Sequence, residues 1–267
     1  MAAGEERELV DVASAIAASA AALLRELAEE DVTEFERLEG PAAALPSATP
    51  TAPTTPRSPR SPVTRVAAMV PGTRGPISWN GDRPTLEEVR TELGDCQRCG
   101  LHEGRSKIVF GDGHANAGLM FIGEGPGEHE DRQGLPFVGR AGELLTQMIE
   151  KGIGLPRRDV YICNIVKCRP PRNRNPLPPE VSACRPFLDG QIRAVAPRVI
   201  VTLGKPAASL LLDREVAITR LRGSWQEYQG IPLMPTLHPA YLLRKYTPEN
   251  RRAVWQDLQA AFERAGA

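Results

Sequence analysis

Segment 118–131, with the sequence G-L-M-F-I-G-E-G-P-G-E-H-E-D, joins an apolar run to a loop of glycines and carboxylates. The apolar part, Leu119–Ile122, suits a buried β-strand. The strand breaks at Gly123, and glycine in the following loop lets a ligand approach the main chain closely. Glu124 and Glu130 supply carboxylates there, at the position where an open α/β sheet builds its site. Taken alone, the segment also fits a plain turn with solvated acids.

Asn164 and His238 are two further polar residues that end or follow predicted strands. Asn164 interrupts the β-branched and aromatic segment 159–167 near its carboxyl end. An amide inside so apolar a strand needs a hydrogen-bonding partner, so we interpret it as a ligand-binding group rather than a strand-end cap. His238 comes directly after the apolar run Ile231–Thr236, where it either acts on a ligand or is a satisfied histidine in a turn.

Four of the five cysteines indicate a metal or cluster site. Cys96 and Cys99 form a C-x-x-C step, and Cys168 and Cys184 flank a loop rich in proline and arginine. Four thiolates gathered from two places suit either tetrahedral zinc or a [4Fe–4S] cluster, and the spacing leaves both open. Cys163 lies in the middle of a predicted strand, which is typical of a buried, inert thiol.

The elements that carry these residues alternate between strand and helix. Strands are predicted at 119–122, 159–167, 198–203 and 231–236, and helices at 86–93, 139–152, from 179 onwards, 205–212 and 248–264. This alternation predicts a three-layer α/β/α sandwich around a central, mainly parallel, four-stranded sheet. Because the carboxyl ends of parallel strands share one edge, Glu124, Asn164, Gly204 and His238 should converge on one cleft.

The first 83 residues differ in composition from the predicted functional domain, residues 84–267. Residues 1–40 are rich in Ala, Leu and Glu and predict an acidic helix, whose partner stays open. Residues 41–83 are rich in Pro, Ala, Ser and Thr and predict a disordered linker. Such a segment buries too little apolar surface to offset its chain entropy.

The charge distribution and the lack of long apolar runs limit which partners and which cellular compartment the sequence predicts. Eleven acidic and three basic residues give segment 1–40 a net charge of −8, so the remainder carries +8 in a chain that is neutral overall. A moderately basic body fits an anionic partner. No apolar run approaches the ~18 residues of a membrane span, and the N-terminus is acidic where a signal peptide would be basic. We therefore expect a cytoplasmic monomer without a membrane partner.

Five motifs, in a fixed order, resemble those of the family-4 uracil-DNA glycosylases, the thermophile-type iron–sulfur enzymes of the uracil-DNA glycosylase superfamily. They are G-E-G-P-G-E-H-E-D at 123–131, G-L-P-F-V-G-R-A-G at 134–142, N-I-V-K-C-R-P-P at 164–171, A-C-R-P-F at 183–187 and L-H-P-A-Y-L-L-R at 237–244. The resemblance covers roughly residues 84–265, and Ala240 is one departure, because Ser is common there. It implies a DNA-repair hydrolase that excises uracil, releasing the free base and leaving an abasic site.

The resemblance also implies how uracil is bound. The nucleotide would be flipped out of the DNA into a pocket. Phe137 would stack on the flipped ring, Gly125 would border it, and the amide of Asn164 would pair with uracil N3–H and O4. Cytosine presents the reverse donor and acceptor pattern at these atoms, so the amide would also discriminate between the two bases.

Catalytic roles follow from the same resemblance. His238 would donate a hydrogen bond to uracil O2 as negative charge develops on the leaving base. Glu124 is the first choice for the carboxylate that acts on the sugar cation and the attacking water, and Glu130 is the second. Glu130 alternatively lines the pocket near uracil C5 and excludes thymine, and the sequence leaves this open. The family's structural [4Fe–4S] cluster would be held by Cys96, Cys99, Cys168 and Cys184.

DNA would be bound by basic residues in the loops around the pocket. The candidates for phosphate contacts are Arg169, Arg172, Arg174, Arg244 and Lys245, each of which is otherwise a solvated surface charge. Leu242 or Leu243 would wedge into the base stack where the uracil left.

Two other interpretations compete with the glycosylase. One is a non-catalytic or covalent uracil-DNA-binding iron–sulfur module, although the covalent branch carries a histidine in an inserted loop and residues 172–179 contain none. The other is a zinc protein with a hydrolase-type cleft.

Overall fold

The structure, a computed structural model, describes Trp79 and residues 83–266. The predicted acidic helix in residues 1–40 and most of the predicted linker lie outside the described residues. Within the described part, six strands form one sheet. They are β1 (Asp112–Gly113), β2 (Leu119–Gly123), β3 (Tyr161–Asn164), β4 (Val199–Leu203), β5 (Gln226–Tyr228) and β6 (Ile231–Thr236).

The four apolar strands are parallel and central, in the order β3-β2-β4-β6. This confirms the predicted mainly parallel sheet. The antiparallel edge strands β1 and β5 were not predicted, because both are short and their residues lack an apolar pattern. Strand β3 ends at Asn164, earlier than predicted, although Ile165 and Val166 still donate to the carbonyls of Gly123 and Glu124 in the loop after β2.

Helices cover both faces of the sheet. In the described residues they are α1 (Leu86–Leu93), α2 (Glu128–Gln133), α3 (Arg140–Gln147), α4 (Pro178–Val195), α5 (Lys205–Leu211), α6 (Ile218–Leu221), α7 (Pro239–Arg244) and α8 (Pro248–Ala265). Helix α1 begins with a capping box, in which Thr85 and Glu88 exchange hydrogen bonds. Helix α3 continues as a π-helical turn, Met148–Ile153. Every helix in this part of the chain is too short or too polar to span a bilayer.

Successive side chains of β2 belong alternately to the hydrophobic clusters on the two faces of the sheet. Met120 and Ile122 belong to a cluster that α1 and α4 cover, and Leu119 and Phe121 belong to one that α3 and α8 cover. All four are almost fully buried, and each such side chain contributes about 1.5–3 kcal/mol by leaving water. Burial on both faces explains why the strand is apolar throughout, and it fixes the strand end at the cleft.

Two residues from the segment predicted as linker contact α4. Trp79 Nε1 donates to the carbonyl of Pro186 at 2.8 Å, and its ring lies so close to Gly190 that a Cβ there would be 2.7 Å away. Arg83 donates to the carbonyls of Ala194 and Val195 at the end of the same helix. The packed domain therefore includes part of the segment that the sequence assigned to the linker.

Candidate active site

The carboxyl ends of the parallel strands border one cleft of about 780 Å³. Glu124 follows β2, Asn164 ends β3, Gly204 follows β4 and His238 closely follows β6, and all four line this cleft. The topology thus brings together the residues whose convergence the sequence predicted. Gly204 has a φ of 89°, and a Cβ there would lie 3.0 Å from the Cβ of His238. Glycine therefore suits this strand end for both its backbone conformation and its contact.

Phe137 lines the cleft in a strained backbone conformation. Its φ is 53°, which costs a non-glycine residue about 1–3 kcal/mol. Glycines make room for it: a Cβ at Gly142 would lie 1.9 Å from its carbonyl carbon, and one at Gly123 would lie 2.5 Å from its Cζ. The Phe137 and His238 rings are 5.7 Å apart at their centroids. The small neighbours let this ring lie against the end of β2, and the surrounding packing offsets the backbone strain.

Asn164 presents a buried amide whose oxygen has no partner among the described residues. The residue is 2% exposed, and its Oδ1 accepts no hydrogen bond. An unpaired buried polar atom costs about 1–3 kcal/mol. A Cβ at Gly123 would lie 2.5 Å from this oxygen, so the glycine keeps the space beside it open. The missing donor must come from a molecule in the cleft, and a ring N–H is one such donor.

Lys167 fixes the backbone of Asn164 from the protein interior. It is 1% exposed, and its Nζ donates to the Asn164 carbonyl at 2.7 Å and to Gln191 Oε1 at 2.5 Å. Gln191 Nε2 donates in turn to the Phe110 carbonyl and the Tyr161 hydroxyl. The sequence interpretation gave Lys167 no role, although a lysine at the end of the apolar segment 159–167 was a usable signal.

The two candidate carboxylates have different surroundings. Glu130 Oε1 accepts the N–H groups of Val138 and Gly139, both at 2.9 Å, and its Oε2 accepts that of Gly127 at 3.1 Å. It therefore ties the loop after β2 to the turn that carries the Phe137 ring. Glu124 makes no side-chain hydrogen bond or ion pair to a described residue, and burial raises the pKa of its carboxyl.

His238 is a neutral hydrogen-bond donor at pH 7. The pKa of its imidazole is lowered to about 4, chiefly by desolvation and then by the positive charge of Arg244, while Glu130 opposes the shift. Its Nδ1 accepts the N–H of Ala240 at 3.1 Å. The proton of the neutral ring is therefore on Nε2, which leaves an N–H group to donate.

Of the predicted DNA-binding arginines, Arg174 and Arg244 line the cleft. Arg174 is held by Glu180 through hydrogen bonds of 2.6 and 2.9 Å, whereas Arg244 has no carboxylate partner in the described residues. Arg169 lies outside the lining, where it contacts Glu128 at 3.3 Å. Arg172 is exposed and forms no ion pair with a described residue.

The two leucines considered for the wedge differ in exposure. Leu242 is 0% exposed and belongs to the core, whereas Leu243 is 40% exposed. Leu243 does not line the cleft and lies beside it, next to Arg244. Of these two leucines of α7, only Leu243 is therefore exposed enough to contact DNA.

Cys96, Cys99, Cys168 and Cys184 all line one small cavity, whereas Cys163 is buried in β3 outside it. The cavity also contains Arg105, which donates to Cys168 Sγ at 3.3 Å and to the Cys96 carbonyl at 2.6 Å. Among the described residues, no three Cys, His, Asp or Glu side chains are close enough to hold a single metal ion. Four thiols around one cavity suit the thiolate ligation of a metal centre.

The fold and the cleft define an α/β protein with a ligand site at the carboxyl edge of a parallel sheet. Residues 110–259 match the Uracil DNA glycosylase superfamily. The chain is 47% identical to the type-4 uracil-DNA glycosylase of Thermotoga maritima, over 66% of this chain and 92% of that protein. It is 42% identical to the type-4 uracil-DNA glycosylase of Sulfurisphaera tokodaii, over 68% of this chain and 85% of that protein. The type-5 uracil-DNA glycosylase of Pyrobaculum aerophilum is 32% identical over 52% of this chain and 67% of that protein.

The chain belongs to the uracil-DNA glycosylase superfamily, and within it to family 4, as the five motifs predicted.

Proposed function

We propose that this protein is a DNA-repair glycosylase that flips uracil out of DNA and hydrolyses its N-glycosidic bond. It would release free uracil and leave an abasic site. The observation that carries the proposal is the Asn164 amide, which is buried beside Phe137 with an oxygen that lacks a donor. The names of the family-4 relatives agree with this chemistry.

Uracil recognition rests on hydrogen-bond complementarity. Asn164 Oδ1 would accept uracil N3–H, and its NH₂ group would donate to O4. Cytosine has an acceptor at N3 and a donor at C4, so it would leave the buried amide unpaired or opposed, which discriminates by ~10⁴-fold in comparable sites. The Phe137 ring would stack on the base, and Gly125 borders the same cleft.

Cleavage requires stabilisation of both fragments. As the bond breaks, negative charge grows on the uracil, and the Nε2–H of neutral His238 would donate to O2. The sugar becomes cationic, and the Glu124 carboxylate would stabilise it and orient the attacking water. We assign Glu130 a positioning role, because three backbone N–H groups already occupy its oxygens.

The four cavity cysteines, Cys96, Cys99, Cys168 and Cys184, would hold a [4Fe–4S] cluster. When bound, the cluster would supply four metal–thiolate bonds that join the segment after α1 to the loop after β3 and to α4. That loop carries Arg172 and Arg174. Burial raises the pKa of the Cys168 thiol, and the Arg105 guanidinium beside its Sγ opposes this shift and so favours the thiolate form that such bonding needs.

DNA would lie across the mouth of the cleft. Arg244 and Arg172 have no carboxylate partner among the described residues and would contact phosphates. Arg169 and Arg174 are paired with glutamates and would contribute less. Leu243 would fill the gap that the flipped nucleotide leaves in the base stack.

The test is release of free uracil from a labelled oligonucleotide under single-turnover conditions. Asn164→Asp replaces the amide donor by an acceptor, so uracil excision should fall steeply. At low pH the protonated acid should pair with cytosine and give weak cytosine excision. Asn116→Asp, at an exposed position before β2 that does not line the cleft, is the control. Wild-type uracil excision by Asn164→Asp would remove the basis for the proposal, and a uracil-DNA adduct that survives denaturation would indicate the covalent module.

A further inference from the structure

A second cavity of about 490 Å³ lies beside α3, its π-helical turn and the start of α8. We call it the basic-aromatic groove and define it by Lys151, Tyr246, Arg251, Arg252 and Trp255, which all line it. The chemistry described above uses none of these residues.

The groove combines exposed aromatic rings with positive charge. Tyr246 is 53% exposed and Trp255 is 48% exposed, although large apolar side chains are usually covered. The lining includes one lysine and two arginines and no acidic residue. The guanidinium of Arg251 lies 4.8 Å from the centre of the Tyr246 ring. Aromatic platforms interleaved with basic side chains are the surface that binds single-stranded nucleic acid.

The groove continues the surface of the candidate active site. Arg244 lines the cleft, and Tyr246, two residues further along the chain, lines the groove. Helix α3 makes the same connection, because Ala141 lines the cleft and Leu144 lines the groove. The cleft and the groove are therefore neighbours at two places in the chain, along α3 and in the segment after α7.

We propose that the basic-aromatic groove binds the DNA strand on one side of the flipped nucleotide. Unpaired bases stack on Trp255 and Tyr246, and their phosphates pair with Lys151, Arg251 and Arg252. This inference rests on the proposed function, because it supplies a second subsite for the same substrate. Positive charge beside exposed aromatic rings suits the phosphates and unpaired bases of DNA, and continuity with the cleft favours the substrate's own strand.

The test compares two single-stranded oligonucleotides that contain one uracil: a ~20-mer that reaches the groove and a trimer that fills only the cleft. Trp255→Ala and Arg251→Gln should each weaken binding of the ~20-mer by roughly 10-fold. This is the scale of one base stacked on an aromatic ring, for Trp255, or of one phosphate contact with its counterion release, for Arg251. The excision rate at saturating enzyme should not change. Binding and excision of the trimer should also match the wild type.

Two further variants serve as controls. Trp255→Phe keeps an aromatic face and should restore most of the affinity. Arg158→Gln removes the same charge from an exposed arginine before β3 that lines neither the groove nor the cleft, and should bind like the wild type. The salt dependence should be shallower for Arg251→Gln and unchanged for Arg158→Gln.

Two results would overturn the inference. One is wild-type affinity of Trp255→Ala and Arg251→Gln for the ~20-mer, which would leave the groove to a protein partner. The other is an equal loss on the trimer, which would mean that the substitutions disturb the cleft. A ~20-mer without uracil separates this test from the proposed function, since its binding depends on the groove whether or not the protein excises uracil.

Discussion

Replacing Glu124, in the loop after β2, and Glu130, in α2, each by glutamine should separate their roles. Glu130 accepts three backbone N–H groups, at 2.9, 2.9 and 3.1 Å. Glu124 has no side-chain partner among the described residues. In Glu130→Gln, the amide oxygen can keep the two bonds at Val138 and Gly139, but the NH₂ group then faces the Gly127 N–H.

The expected magnitudes follow from these contacts. Leaving the Gly127 N–H opposed by a donor costs about 1–3 kcal/mol, and the other two bonds lose their charged acceptor. A total of about 3 kcal/mol corresponds to a fall in apparent melting temperature of roughly 6–12 °C for a domain of this size. Glu124→Gln removes no hydrogen bond and replaces a partly buried charge by a neutral group, so its stability should equal or exceed that of the wild type. Its excision rate should fall by roughly 10²–10⁴-fold.

The assay pairs thermal unfolding at one scan rate with single-turnover uracil release at saturating enzyme. Glu143→Gln, at an exposed glutamate of α3 with no partner among the described residues, should match the wild type in both measurements. The reasoning is refuted if Glu130→Gln keeps wild-type stability and loses excision while Glu124→Gln cleaves normally.

The pH profile gives an independent check on Glu124. Burial raises the pKa of its carboxyl, and only the ionised form can stabilise the sugar cation. Excision by the wild type should therefore decline as the pH falls through this raised pKa, above the range of a solvated glutamate. Glu124→Gln should lack that inflection.

Two other predictions concern His238 and the cysteines. His238→Ala should lower the single-turnover rate by roughly 10²–10³-fold with little change in DNA affinity. Because the pKa of the wild-type imidazole is lowered to about 4, this ratio should be constant through the neutral pH range; a loss of affinity with an unchanged rate would instead make His238 a DNA-positioning residue. Cys168→Ala and Cys184→Ala should lose iron, the absorbance near ~400 nm and stability, whereas Cys163→Ala should lose none of these. Full iron content in Cys184→Ala would contradict the ligand assignment.

Local patterns in the sequence were sufficient for the central architecture. The runs 119–122, 198–203 and 231–236 are mostly apolar because helices cover both faces of their strands. Strands that are buried on both faces can therefore be recognised from the sequence. Once four strands alternate with helices, the parallel arrangement and the shared carboxyl edge follow from chain topology. That is why residues as distant as Glu124 and His238 could be placed in one cleft before the structure was known.

The edge strands and the domain boundary were less predictable. Strands β1 and β5 are too short and polar to carry a period, and they exist because a neighbouring strand supplies their hydrogen bonds. Trp79 stands in a segment whose composition indicates a linker, yet it packs on Gly190 and Pro186. A composition average cannot register one side chain that finds a distant partner.

The sequence by itself determined the family, the four apolar strands, the convergence of Glu124, Asn164 and His238, and the set of cysteines that share one cavity. Each of these depends on residue type and spacing along the chain.

Only the tertiary structure decided how the side chains at the site are used. Glu124 and Glu130 are the same residue type six positions apart, and what distinguishes them is that the turn at 137–139 folds back to offer its N–H groups to Glu130. Leu242 and Leu243 are adjacent, and the helix rotation buries the first and exposes the second. Hydrogen bonding and burial depend on which distant segments come into contact, and that information is absent from any local stretch of the chain.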